Sequence, residues 1–206
     1  RPKYQLKDNK KFDQYNFAKS LELSHKDFFV LFKYCKKLKI KFLSTADDIK
    51  SVRFLKNFQN FFKIGSADLN NYQIINEIIK LKKSIILSTG LSNLKEINDV
   101  IKFLRKKKFN YKKKLILLHC NSAYPTPFKD INLKVIPELK KKYGVTVGLS
   151  DHSISDECAI GAAALGANVI EKHITLDKKM VGPDHSTSLN GDEFKKMVSK
   201  IRNVEV

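Results

Sequence analysis

The chain has 206 residues, of which 42% are hydrophobic, and its 40 Lys and Arg residues against 21 Asp and Glu give a formal net charge of +19. No apolar run approaches the roughly 20 residues that cross a bilayer, and the Lys-rich N-terminus lacks the apolar region of a secretory signal, so we expect neither a membrane protein nor a secreted one. Three cysteines without a C-x-x-C pair, Cys35, Cys120 and Cys158, favour a reduced, cytoplasmic setting for a globular protein with one sizeable core.

The positive charge raises the question of nucleic acid, because basic surfaces bind phosphates without sequence preference. Only four of the 40 basic residues are arginine, the side chain that base and phosphate recognition favours. The lysines lie mainly on the outward faces of predicted helices. We therefore expect no nucleic-acid partner, although the positive field would attract a small anionic substrate. A nucleic-acid-binding module stays the third choice, and salt-dependent DNA affinity would test it.

Helices and strands are predicted to alternate along the chain. Apolar positions at helical spacing and short apolar, β-branched runs predict, in chain order, helix 24–38, strand 41–45, helix 49–58, strand 61–66, helix 72–81, strand 84–89, helix 93–107, strand 114–120, helix 133–143, strand 145–150, helix 156–166, strand 168–174 and helix 191–204. Asn93, with Glu96 three residues later, resembles a capping box. This rhythm predicts right-handed crossovers and a parallel α/β sheet.

Two architectures fit that rhythm: a doubly wound open sheet and an eight-stranded TIM (β/α)8 barrel. Polar residues favour the barrel, because nearly every predicted strand ends in them and a barrel gathers such ends on one rim. The residues concerned are Ser44, Thr45, Lys63, Ser66, Ser88, Thr89, His119, Cys120, Ser150, Asp151, His152, Lys172 and His173. A G-x-G-x-x-G turn is absent. About six of eight strand-helix units are predicted, so we expect residues 1–206 to form a single, partial barrel domain.

Two histidines end neighbouring predicted strands. His152 and His173 are separated by one strand-helix-strand unit, so both should reach the same barrel mouth. Carboxylates near them in the sequence are Asp151, Glu171 and Asp184. Two neutral imidazoles there could hold a divalent metal with open positions for water and substrate, or could serve as hydrogen-bonded groups or general acids and bases. Spacing alone leaves both interpretations open.

The other three histidines are weaker candidates. His119 is expected to pack or to support the site, His25 to face solvent from an early helix, and His185 to lie in a loop near the mouth.

Lys63 interrupts an otherwise apolar strand. A buried, unpaired lysine would be costly, so we expect this ammonium group to reach the barrel mouth and bind an anion. Neutral donors around the same rim are Ser66, Ser88, Thr89, Ser122, Tyr124 and Ser150, and Gly65 and Gly90 permit close approach of the backbone.

Several motifs together resemble a known family. "FLSTADD", "FKIGSADLNNY", "IILSTGLSNLKEI", "LLHCNSAYPTPFKDINL", "GLSDHS", "GAAALGANVIEKHITLD" and "GPDHSTSL" occur in the order found in the sialic acid synthase family, of the N-acetylneuraminate synthase type, over about residues 20–205. The resemblance implies a transferase of carbohydrate biosynthesis. Such an enzyme condenses phosphoenolpyruvate with the open-chain aldehyde of an N-acetylated amino sugar, such as N-acetylmannosamine. The products are phosphate and a nine-carbon 2-keto sugar acid.

The resemblance also implies roles for individual residues. His152 of "SDH" and His173 of "EKH" would bind a divalent metal, Mn²⁺ first and Mg²⁺ or Co²⁺ as alternatives, that polarises the aldehyde. The implied phosphoenolpyruvate site is Thr45, Lys63, Ser66, Ser88, Ser122 and Ser150. The implied catalytic set is Lys63, Asp68, Tyr124 and Asp184: Tyr124 and Asp184 would face the sugar, and Asp68 would orient water or a proton transfer.

The sequence departs from the family pattern at both ends. The family's first two strands carry a catalytic glutamate and a further lysine that residues 1–40 do not match, and a C-terminal antifreeze-like domain is expected beyond this segment. We therefore expect these 206 residues alone to be inactive and poorly stable, because open strand edges expose core. The resemblance to the family also implies that the full-length protein is a homodimer. Synthesis of legionaminic or pseudaminic acid stays open, and "KIGSADLNN" favours the sialic or legionaminic side. A non-catalytic barrel used as a scaffold also stays open.

Overall fold

The computed structural model describes residues 14–205. The chain divides into two compact units, Arg1–Leu43 and Ser44–Val206. None of the helices within residues 14–205 is long and apolar enough to cross a membrane.

The first unit contains two helices, α1 (Gln14–Ser20) and α2 (His25–Lys37). A capping box begins α2, since the Ser24 hydroxyl accepts from the Asp27 amide and the Asp27 carboxylate accepts from the Ser24 amide. The predicted helix 24–38 is therefore confirmed. His25 is exposed, as expected.

The second unit is a parallel sheet whose strands are neighbours in chain order. The strands are β1 (Phe61–Ile64), β2 (Ser84–Ser88), β3 (Leu115–Cys120), β4 (Thr146–Asp151) and β5 (Ile170–Lys172). The helices are α3 (Ile49–Leu55), α4 (Tyr72–Lys80), α5 (Leu94–Lys106), α6 (Tyr111–Lys114), α7 (Phe128–Ile131), α8 (Val135–Tyr143), α9 (Glu157–Ala164) and α10 (Gly191–Val204). An uninterrupted sequential order excludes a doubly wound sheet, in which the strand order reverses.

The core of this unit lies between one face of the sheet and the helices. Phe62 and Ile64 of β1, Leu87 of β2, and Leu117 of β3 are at most 2% exposed. Burial of each such side chain stabilises the fold by about 1.5–3 kcal/mol. Because side chains alternate between faces, the residues between these positions project to the opposite, concave face.

An ion pair shows how strongly the sheet curves. Lys63 of β1 and Glu171 of β5 lie four strand spacings apart, which is about 19 Å in a flat sheet. Their Nζ and Oε2 atoms are nevertheless 3.6 Å apart. The sheet therefore curls so that β1 and β5 face each other, which confirms the prediction of a barrel segment.

The first predicted strand, 41–45, is wrong: these residues form no strand. The buried side-chain amide of Gln59 satisfies the backbone of Ser44 instead. Its Oε1 accepts from the Ser44 amide at 2.8 Å, and its Nε2 donates to the Ser44 carbonyl at 2.9 Å. A neighbouring strand would supply the same two bonds, so Gln59 replaces a strand partner at this point.

The other five predicted strands and the seven predicted helices are present. Helix 191–204 has the predicted bounds, strand 145–150 is shifted by one residue, and the other elements are shorter than predicted. The predicted capping box at the start of α5 is confirmed, because the Asn93 and Glu96 side chains exchange bonds with each other's backbone. Three short helices, α1, α6 and α7, were not predicted, since four to seven residues are too few to show a period.

Candidate active site

The concave face gathers polar side chains at the carboxyl ends of the strands. The register pairs Cys120 with Ser150 and Ser150 with Glu171, so these three form one row across β3, β4 and β5. His152 and His173 follow two residues after Ser150 and Glu171, and alternation turns them to the same face. Sequence position alone therefore predicts the meeting of the two histidines.

The two imidazoles lie side by side beneath a tyrosine. Their ring centroids are 5.3 Å apart and the rings meet edge to face. The ring of Tyr124 lies 4.0 Å from His152 and 5.6 Å from His173, tilted by about 30° to each. Asp184 Oδ2 is 3.8 Å from His173 Nδ1, too far for a hydrogen bond but close enough for electrostatic attraction to a positive charge on the ring.

His152 has a fixed tautomer. Its Nδ1 lies 2.6 Å from the carbonyl oxygen of Asn121, which can only accept, so the proton is on Nδ1. Burial lowers the pKa of His152, which keeps the ring neutral. Nε2 is then a lone pair. Ser150 Oγ lies 3.3 Å from it but donates its proton to Glu171 Oε1 at 2.6 Å.

His152 fits a divalent metal by its chemistry, and the ring of His173 lies next to it. A neutral imidazole whose Nδ1 hydrogen is held by a backbone carbonyl presents Nε2 to an ion. No group of three or more His, Cys, Asp or Glu residues arranged to hold a metal occurs within residues 14–205.

Lys63 lies beside this histidine pair. Its side chain is 11% exposed and its Nζ is 3.6 Å from Glu171 Oε2. Glu171 therefore connects the ammonium group to Ser150 and, through Ser150, to His152. Sequence reasoning named Glu171 only as a nearby carboxylate, although its position two residues before His173 places it on the same face.

Ser88 supplies a buried hydroxyl without a partner. Its side chain is 3% exposed, and no hydrogen bond to Oγ occurs among the described residues. Buried polar groups are nearly always hydrogen-bonded, so an isolated hydroxyl at the end of β2 is suited to a ligand.

A second group of hydroxyls surrounds Gly90. The Gly90 amide donates to Ser66 Oγ at 3.0 Å. A Cβ atom at this position would lie 2.8 Å from Ser66 Oγ and 2.7 Å from Ser122 Oγ. Any larger residue would therefore force these serine hydroxyls to move. Cys120 Sγ lies beside them, and burial raises the pKa of its thiol, so the thiol stays protonated.

Other predicted rim residues have different surroundings. Thr45 is exposed. Asp68, in the short helix Ser66–Asp68, accepts from the Asn71 side chain at 3.0 Å. Thr89 Oγ1 donates to the Leu118 carbonyl, so its hydroxyl bridges β2 and β3. Among residues 14–205, no hydrogen bond or ion pair joins Thr45 or Asp68 to Lys63 or to the histidine pair.

The weaker histidines have structural partners. His119 Nε2 donates to the Ile131 carbonyl at 2.6 Å on the convex side, which agrees with the expectation that it packs or supports the site. His185 Nδ1 lies 2.8 Å from Thr175 Oγ1 within the loop that carries Asp184.

Comparisons with known proteins agree with one another. The NeuB family matches residues 1–206. The N,N'-diacetyllegionaminic acid synthase of Campylobacter jejuni is 42% identical over 204 residues, covering 98% of this chain and 61% of that protein. A pseudaminic acid synthase of the same species is 43% identical over 157 residues, covering 76% of this chain and 45% of that protein.

A solved structure is also similar. The N-acetylneuraminic acid (sialic acid) synthetase of Leptospira borgpetersenii, crystallised with citrate, superposes with a TM-score of 0.86 at 34% identity, covering 92% of this chain and 66% of that chain. The chain thus spans about half to two thirds of the length of these relatives.

Proposed function

This chain belongs to the NeuB family, and we propose that the full-length protein condenses phosphoenolpyruvate with an N-acetylated amino sugar to give a nine-carbon 2-keto sugar acid and phosphate. One observation carries the proposal. The concave face brings an ammonium group, Lys63, within 3.6 Å of a carboxylate, Glu171, that is two residues from one of two adjacent imidazoles. This arrangement supports the proposal, because such a face would place an anion site beside a carbonyl-activating site.

The part of the concave face around Lys63 would hold phosphoenolpyruvate. Lys63 would offset the phosphate or carboxylate charge, and neutral hydroxyls would complete the hydrogen bonds. The hydroxyls in question belong to Ser66, Ser88, Ser122 and Ser150, with Thr45 as a further candidate. The unpartnered Ser88 Oγ supports this assignment, because a ligand oxygen would satisfy it.

The part of the concave face around His152 and His173 would hold the sugar. His152 and His173 would be ligands of a divalent metal, Mn²⁺ first, and that ion when bound would polarise the sugar aldehyde. Tyr124, whose ring covers both imidazoles, would orient the sugar chain and limit access of water. Asp184 would face the sugar hydroxyls, and Asp68 would orient water or a proton transfer.

The reaction balances with groups of this face. C3 of phosphoenolpyruvate forms a bond to the aldehyde carbon, and the aldehyde oxygen takes up a proton. The C2–C3 π electrons form this bond, so C2 becomes electron-poor and water adds there. The carboxylates of Glu171 and Asp184 would pass one proton of this water to the aldehyde oxygen and the other to the departing phosphate. The C2–O bond to phosphate breaks, phosphate leaves, and the oxygen from water becomes the ketone. Lys63 stabilises the negative charge on the departing phosphate.

A legionaminic acid synthase is the second candidate for the exact activity. The relative with that name aligns with 98% of the chain, whereas the pseudaminic acid synthase aligns with 76% at similar identity. The hexose would then carry a second acetamido group.

Phosphate release tests the proposal. The full-length protein would be supplied with phosphoenolpyruvate, Mn²⁺, and either N-acetylmannosamine or a diacetamido-dideoxy hexose. We expect phosphate release with one of the sugars and its loss on addition of a chelator. The sugar with the faster rate identifies the product. A folded protein that releases no phosphate with either sugar would favour a barrel used as a scaffold.

A further inference from the structure

A buried ion pair lies directly behind the two histidines. Asp151 and Lys172 are paired in the register of β4 and β5, and both side chains are 1% exposed. Each precedes one histidine of the site, so alternation directs the pair to the convex face while His152 and His173 project to the concave face. Strand β5, with His173 directly after it, thus supplies titratable groups to both faces.

The ammonium group of Lys172 connects β5 to the loop that follows His152. Nζ lies 2.9 Å from Asp151 Oδ2, 2.6 Å from the Ser153 carbonyl and 2.8 Å from the Ser155 carbonyl. Asp151 Oδ1 in turn accepts from the Ser153 amide at 2.8 Å. The side chain of the residue before His173 is therefore bonded to the carboxylate of the residue before His152 and to the backbone that follows His152.

The backbones of the histidines are otherwise held by different segments. The His152 carbonyl accepts from the Thr126 amide at 2.9 Å, and the His173 carbonyl accepts from the Leu189 amide at 3.1 Å. The register of β4 with β5 ends at Asp151 and Lys172, one residue before the histidines. The Lys172 side chain therefore bridges the two strands at the level where the rings must be aligned.

Stability alone is a poor explanation of such a pair. Removing two charges from water costs several kcal/mol per ion, and apolar residues of similar volume often serve equally well. A fully hydrogen-bonded buried network instead specifies one geometry. We propose that Lys172 and Asp151 are positioning residues that fix the separation and orientation of His152 and His173. The effect of this positioning on metal binding rests on the function proposed above. The positioning of the two rings does not depend on that function.

The test compares three variants of the full-length protein. Lys172→Met leaves the Asp151 carboxylate buried without its cation. Asp151→Asn combined with Lys172→Met removes both charges and keeps the acceptor for the Ser153 amide. Lys200→Met is the control, because it makes the same change in an ion pair to Asp156, at 2.9 Å, between α9 and α10. Thermal unfolding, the ¹H–¹⁵N signals of ¹⁵N-labelled histidine rings, and Mn²⁺ affinity by calorimetry are measured for each.

We expect Lys172→Met to be the least stable and the double variant to regain most of the lost stability. The ring signals of His152 and His173 should nevertheless shift or broaden in the double variant, and its Mn²⁺ affinity should fall about 10- to 100-fold, as is typical when groups that support metal ligands are lost. Lys200→Met should change neither.

The outcomes separate the two proposals. Unchanged ring signals in a folded double variant overturn the positioning role, as does a double variant that does not fold, because the pair then serves stability. A wild-type protein that binds no Mn²⁺ removes the metal site from the proposed function, while the ring signals still decide the role of Lys172 and Asp151.

Discussion

Lys63 and Glu171, on the first and last strands of the described sheet, place a cation and an anion 3.6 Å apart across its concave face. This distance exceeds a good hydrogen bond, so the attraction is mainly electrostatic. Glu171 accepts its shorter bond, 2.6 Å, from Ser150. The ammonium group is thus held by charge, and its N–H groups can still donate hydrogen bonds to an incoming phosphate or carboxylate.

Lys63→Met should remove much of the affinity for phosphoenolpyruvate. A hydrogen bond to a charged group contributes about 1.5–3 kcal/mol, which corresponds to roughly 10- to 150-fold in affinity. Fluorescence or calorimetric titration of the full-length protein with phosphoenolpyruvate measures it. Lys83→Met, which removes a half-buried lysine bonded to Asn60, is the matched control and should bind normally. Equal affinities for the two variants would contradict the anion role of Lys63.

Ser88→Ala should separate stability from binding. Because Ser88 Oγ has no described partner, removing it breaks no internal hydrogen bond, and the melting temperature should stay the same or rise. Affinity for phosphoenolpyruvate should fall by about 2- to 10-fold, the equivalent of one neutral hydrogen bond. Thr89→Val is the control: it loses the bond to the Leu118 carbonyl, so its melting temperature should fall. A clear loss of stability in Ser88→Ala would show that the hydroxyl has a structural partner.

The sequence predicted which residues line this site better than it predicted the contacts between their side chains. Lys63, Ser88, His152 and His173 follow from strand ends and period-two alternation, because parallel strands align their carboxyl ends at one rim. Contacts between distant strands depend on how far the sheet curls, which no local pattern encodes. The Lys63–Glu171 pair and the bonds of Lys172 to Ser153 and Ser155 therefore emerged only from the structure.

Gly90→Ala should displace the two serine hydroxyls that surround Gly90, those of Ser66 and Ser122. The added methyl would lie 2.7 Å from Ser122 Oγ and 2.8 Å from Ser66 Oγ, so both side chains must move. We expect affinity for phosphoenolpyruvate to fall at least about 10-fold, since two proposed ligand donors are displaced. Gly65→Ala is a matched control one residue before Ser66, because nothing lies within 4 Å of its added Cβ. If both variants bind equally, Ser66 and Ser122 are not part of the anion site.

Gln59→Leu tests why residues 41–45 form no strand. The side-chain amide makes two bonds to Ser44, at 2.8 and 2.9 Å, and is buried. Leucine keeps the volume but leaves the Ser44 amide and carbonyl without these partners, which should cost about 1–3 kcal/mol. Urea unfolding measures the loss. Gln73→Leu, an exposed change at α4, should cost less than about 0.5 kcal/mol. An unaltered stability for Gln59→Leu would mean that other groups hold Ser44.

His119 should make stability depend on pH. Burial lowers the pKa of His119 below its ordinary value of 6.5, so the folded ring is neutral, with Nε2 donating to the Ile131 carbonyl. As the pH falls below about 6.5, the unfolded chain takes up a proton that the folded state resists, and the free energy of unfolding decreases. This contribution is present above the unfolded pKa and is lost as the pH falls through the folded pKa.

The variant His119→Gln isolates this contribution, because the amide can still donate to Ile131 but does not titrate. Urea unfolding of wild type and variant at about pH 8 and about pH 5.5 gives the difference in stability at each pH. We expect the wild type to be the more stable protein at the higher pH and its advantage to shrink at the lower one. Other titrating groups, including His152, are common to both proteins and cancel in the difference. A difference that stays constant between the two pH values would mean that His119 has the same pKa in the folded and unfolded states.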